Sequence, residues 1–125
     1  MTENNKITLQ IPDVPPSNNK YQGRGGKKEQ ILDYQNEKTE WAWLVKAAIR
    51  KRPTKPFERA IVNITYHFKD SRRRDPDNYS GKFLLDGLVN EGIIKDDSFA
   101  CIDLRLKGIP SCKQKGTIIE VEELS

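Results

Sequence analysis

From Ala60 to Phe68 the side chains alternate, with Val62, Ile64, Tyr66 and Phe68 on one side and Ile61, Asn63, Thr65 and His67 on the other. A two-residue period sustained this long describes a strand with one face on a core, and it excludes a helix there. A strand needs partners, and the chain supplies three more candidates. Lys6 to Ile11 places Ile7, Leu9 and Ile11 on one face. Ser98 to Lys107 and Gly116 to Glu122 read as two further strands, joined by the loop Gly108 to Lys115. His67 falls on the second face of the sheet, where a partnered or solvated role is expected of it rather than catalysis.

Two helices complete the pattern. Trp41, Leu44, Val45, Ala48 and Ile49 form one apolar stripe at helical spacing, which predicts a helix from about Tyr34 to Arg52. Arg50, Lys51 and Arg52 would crowd its last turn, where cations complement the dipole, and Pro53 would stop it. A second helix is predicted near Asn78 to Glu91, ending at Gly92. Between the first strand and the first helix, Pro12 to Lys20 forms turns. Tyr21 to Lys28, with Gly23, Gly25 and Gly26 among Arg24, Lys27 and Lys28, reads as a mobile basic loop. The order β-α-β-α-β-β predicts an α/β domain of the α+β type, a mixed sheet with two helices packed on it.

Length and composition narrow the class. At 125 residues there is room for one conventional core, so residues 1–125 are expected to form a single domain. Charged residues make up 32% and the net charge is +4, a polar balance with a modest basic excess. That excess points only weakly to nucleic acid, so its distribution matters more. No apolar run approaches the ~20 residues that span a bilayer. Met-Thr-Glu-Asn-Asn has no basic-then-apolar leader, so a cytoplasmic protein is expected. Cys101 and Cys112 lack the CxxC spacing and histidine partners of a zinc site, and read as reduced thiols.

The segment Arg72-Arg73-Arg74-Asp75-Pro76-Asp77-Asn78 carries the chemistry. Three arginines precede two carboxylates at the junction of a strand and a helix. In extended backbone the i, i+2 spacing puts Asp75 and Asp77 on one side, and Pro76 keeps Asp75 out of helical dihedrals. Converging carboxylates suit Mg²⁺, which takes oxygen ligands. Asp96-Asp97 offers further carboxylates, brought to the same end of the sheet if the third strand lies beside the second. Lys82, four residues after Asn78, would share that residue's helix face and reach a phosphate at the site. The structural alternative makes Asp77 or Asn78 a helix cap, Lys82 a partner of Asp86, and the arginines a solvated edge.

These residues resemble the RusA family of Holliday junction resolvases, small endonucleases common in prophages. The resemblance rests on Pro15-Pro16-Ser17-Asn18-Asn19 after the first strand, Arg72 to Asn78 before the second helix, and Asp96-Asp97 after it, and it covers nearly the whole chain. It implies that Asp75, Asp77 and Asp97 are metal-binding catalytic aspartates, with Asp96 a neighbouring acid, and that Lys82 is an essential lysine. The spacing from Asn78 to Lys82 is one residue longer than the family's usual form, a difference Gly81 would absorb. Ser17, Asn18, Asn19 and Lys20, and Arg72 to Asp75, match DNA-contacting segments. The basic loop residues Arg24, Lys27 and Lys28 would add backbone contacts, as would Lys113 and Lys115.

The expectation is a Mg²⁺-dependent endonuclease, with Mn²⁺ as a substitute, that acts on four-way DNA junctions in recombination and repair. Paired cuts on a two-fold-symmetric junction imply a homodimer. Two other readings stand beside it. One is a module that binds branched DNA without cutting it; the other is a nuclease for flaps or forks.

Overall fold

The computed structural model describes residues 5–17 and 27–124, with only the backbone given for 27–30. Four strands are present: β1 (Lys6–Ile11), β2 (Ala60–His67), β3 (Ile102–Ile109) and β4 (Gly116–Glu123). They form one mixed sheet in the order β1-β4-β2-β3. β4 runs antiparallel to both β1 and β2, whereas β3 runs parallel to β2. A parallel neighbour requires a crossover, and α2 (Lys82–Asn90) supplies it.

The register explains the core. Ile7, Val121 and Val62 lie abreast in one row, and Leu9, Ile119 and Ile64 in the next. All six are buried, and Trp41 and Val45 of α1 (Lys27–Ala48) join Leu84 and Leu88 of α2 against them. Burying each such side chain contributes about 1.5–3 kcal/mol. The helices approach closely at Gly87, where an added Cβ would lie 2.9 Å from the Val45 side chain. The fold class and element order are those expected from the alternation and the stripe.

Element ends differ in informative ways. α1 starts at Lys27 because Lys27 to Asp33 holds good helix formers and neither Gly nor Pro. Lys27 and Lys28 therefore belong to a helix; the rest of the expected basic loop, Tyr21 to Gly26, lies outside the described residues. α1 ends at Ala48, short of Arg52, with the Ile49 amide donating to the Lys46 carbonyl three residues back at 3.3 Å. The Asn78–Glu91 helix is broken. Pro76–Asn78 is a 3-10 turn, Tyr79 leaves helical dihedrals, and α2 begins only after Gly81, whose φ is +82°. Gly92, at φ +75°, ends the segment as expected. The third strand loses Ser98 to Cys101, because the Cys101 and Ile102 amides both donate to the Ser98 carbonyl at 3.0 Å and close a turn. It gains Gly108 and Ile109, paired with Tyr66 and His67.

Candidate nucleic-acid interface and active site

The segment leaving β2 is tied down by Asp70. Its carboxylate pairs with the Arg74 guanidinium at 2.7 Å and accepts the Arg72 amide at 3.1 Å. The Arg74 contact first, then the Arg72 amide, hold the Asp70 carboxyl at a pKa of about 2, below the usual 3.8. Arg74 also lies over the Phe68 ring at 4.1 Å, and Phe68 meets Tyr79 edge-on at 5.2 Å. Arg74 is thus turned inward, its side chain 17% exposed, whereas Arg72 and Arg73 are 80% and 88% exposed. A cation stacked on a ring and paired with a carboxylate fixes the backbone beyond it.

Asp75 comes next, extended at φ −105°, ψ 142°, as a residue before proline must be. Its carboxylate accepts from Arg73 Nε at 3.3 Å. Ser17, Arg72, Arg73, Asp75 and Asn78 line one open hollow of about 690 Å³. Ser17 comes from the Pro-Pro-Ser-Asn-Asn stretch after β1, so the fold joins two of the sequence-predicted DNA segments. Asn18, Asn19, Lys20 and Arg24 lie outside the described residues.

Two expected relationships are not formed. Asp77 sits in the 3-10 turn, so an extended backbone does not align it with Asp75. The same break removes Asn78 from the face of Lys82. Neither Asp77 nor Asn78 caps α2, whose N-cap is Gly81. Tight packing accounts for that glycine: a Cβ there would lie 2.7 Å from Ile64 Cδ1 and 3.4 Å from the Tyr66 hydroxyl. That hydroxyl is buried without a hydrogen-bond partner, and burial pushes its pKa above the tyrosine range.

Lys82 opens α2 and turns to α1. Its ammonium lies 5.4 Å from the Tyr34 ring centre, and Tyr34 packs on Phe83 at 5.3 Å. A hydrogen bond donated to the Tyr34 hydroxyl, and after it the charges of Tyr34, Asp86 and Asp97, raise the lysine pKa above 10.5. Lys82 and Asp86 form no direct salt bridge, although the Asp86 charge acts on the lysine.

Asp96 and Asp97 are exposed in the connection from α2 to β3. β3 does lie beside β2, but Ile102 is level with Ala60, the first residue of β2. The two acids therefore approach the starting end of the parallel pair, while Asp75 and Pro76 stand beside Tyr66 and Gly108 toward its finishing end. Asp97 still contributes to the field at Lys82. Among the described residues no group of three or more His, Cys, Asp or Glu side chains is placed to hold a metal ion. The donor chemistry fits Mg²⁺; the arrangement within one chain does not assemble a cage. Tyr34 and Asp70 carry no signal in the sequence, since neither belongs to a motif and each acts through a partner on another segment or turn.

Compared with known families, residues 11–122 match the family model for the endodeoxyribonuclease RusA. The chain belongs to the RusA family. The match begins at the last residue of β1 and closes one residue short of the end of β4, so it spans both helices, β2, β3 and nearly all of β4. No curated protein matches the chain.

Proposed function

We propose that this RusA protein is a structure-selective endodeoxyribonuclease that resolves four-way DNA junctions by paired phosphodiester hydrolysis. The observation that carries the reading is the single hollow in which Ser17, Arg72 and Arg73 surround Asp75. Two exposed guanidiniums bind phosphate oxygens bidentately and so position a strand without reading its sequence. The Lys82 ammonium, placed beside Tyr34, offsets charge on the phosphate under attack.

The activity is proposed to depend on Mg²⁺, with Mn²⁺ substituting, through Asp75, Asp77 and Asp97, with Asp96 beside them. Carboxylate donors and the family support this. Mg²⁺ commonly rests on one or two carboxylates and takes its remaining ligands from water and substrate phosphates, so a complete protein cage is not required. The chain is proposed to act as a homodimer, because one set of carboxylates serves one cut and a junction needs two. Two surfaces suit the interface: the region around Trp43, which is 66% exposed, and the unpaired sheet edges at β1 and β3. Among the described residues no helix is long and apolar enough to cross a membrane.

One gel assay tests the reading. Junction, fork, flap and duplex are incubated with and without Mg²⁺ or Mn²⁺, alongside sedimentation at micromolar protein. Paired symmetric cuts in the junction alone, metal-dependent, from a species of twice the chain mass, are expected. Preferential cutting of flaps or forks would reassign the substrate. Metal-independent binding with no cutting would favour the non-cleaving module, a reading the ungathered carboxylates keep in play.

A further inference from the structure

The charged turn after α1 lies outside the helix it was expected to close. The sequence places Arg50, Lys51 and Arg52 within the last helical turn, offsetting the dipole. α1 ends instead at Ala48, and the cation in its last turn is Lys46. The dipole's effect fades within that turn. Beyond it, Lys51, Arg52 and Lys55 border a hollow of about 310 Å³ that is closed by Lys6 of β1 and Glu123 of β4. Lys6 is held by Glu120 at 2.8 Å and Arg52 by Glu91 at 2.9 Å. Glu123 accepts from the Asn5 amide. Lys51 and Lys55 are exposed, and among the described residues neither forms an ion pair.

This basic rim lies at the end of the sheet where β1 and β2 begin and β4 finishes. The Arg72–Asn78 segment lies toward the opposite end, where Asp75 and Pro76 share a pocket with Tyr66 near the finish of β2 and with Gly108 of β3. A small anion seated in the hollow would meet Glu123. A polyanion crossing the rim engages Lys51 and Lys55 without entering. Given the DNA-junction reading above, on which this rests, we propose that the Lys51–Lys55 turn is a second DNA-backbone site, holding phosphates of a junction arm apart from those held at Arg72 and Arg73.

Junction affinity is measured against salt for the full chain and for Lys51→Ala/Lys55→Ala. Two lost phosphate contacts should flatten the log–log slope by about 2. Lys51→Arg/Lys55→Arg should restore it, and the cutting rate of the saturated complex should not change. The control is Arg72→Ala/Arg73→Ala, which should flatten the slope as well. An unchanged slope in the lysine variant, beside a flattened one in the arginine variant, overturns the second site alone. A parent protein with no salt-dependent junction binding overturns the DNA reading and the site together.

Discussion

The Lys82 ammonium stands 5.4 Å above the centre of the Tyr34 ring, joining the first residue of α2 to the middle of α1. The hydrogen bond to the Tyr34 hydroxyl is the leading reason its pKa lies above 10.5. A raised folded pKa means that whatever the charged form contributes is complete below pH 10.5 and is lost as pH rises through the folded value. Lys82→Ala should therefore lower cleavage at least about tenfold, equivalent to 1.4 kcal/mol of barrier. The ratio of parent to variant should stay constant from about pH 7 to 9, since the ammonium does not titrate there. Single-turnover rates across that range check it, and a ratio that collapses near pH 8 would assign the ionisation to another group.

Asp75→Asn, Asp77→Asn and Asp97→Asn keep side-chain shape and remove one charge each. Each should abolish cleavage while leaving junction binding largely intact. Losses under about tenfold in all three, some 1.4 kcal/mol, would remove these residues from the chemistry. Because Asp75 accepts from Arg73, its variant should also free that guanidinium and leave affinity undiminished.

Asp70 is the acid whose titration reports on the segment carrying Asp75. Its carboxyl titrates at about 2 when folded, against 3.8 ordinarily. The sign is that of a depressed acid: the pair's contribution is present above pH 3.8 and is lost as pH falls through about 2. A carbon-detected NMR titration should place the Asp70 midpoint near 2, and Arg74→Gln should return it toward 3.8. An unshifted midpoint in the parent would mean that Arg74 is not bound there.

Gly81 and Gly92 share a left-handed backbone, with φ of +82° and +75°, but not a packing environment. An added Cβ meets Ile64 at 2.7 Å from Gly81 and nothing within 4 Å from Gly92. Gly92→Ala should cost about 1–2 kcal/mol, the conformational penalty alone. Gly81→Ala adds overpacking of about 1–3 kcal/mol. Urea denaturation should rank Gly81→Ala as the more destabilised, and equal losses would contradict the close contact with Ile64.

Period and stop signals are local, and they are legible in residue order. The strands at Lys6–Ile11 and Ala60–His67 come from alternation, and the buried stripe of Trp41 and Val45 from helical spacing. The carboxylates and arginines of Arg72 to Asn78 stand out because they cluster within seven residues at a strand-to-helix junction. Meetings between distant segments are not legible in the same way. Nothing in the sequence around Tyr34 announces Lys82, and the break at Gly81 is imposed by Ile64 lying beneath it. The parallel pairing of β2 with β3 sends Asp97 toward one end of the strands and leaves Asp75 near the other. The end of α1 at Ala48 takes Lys51 out of the expected helical turn and sets it, with Lys55, on the rim of a separate hollow. Local propensity acts over a few residues and can be read from their order. The direction in which a strand pairs, and which charges then face one another, is settled only when the core closes, because burial of Ile64, Leu84 and Ile119 is a collective gain that no single segment encodes.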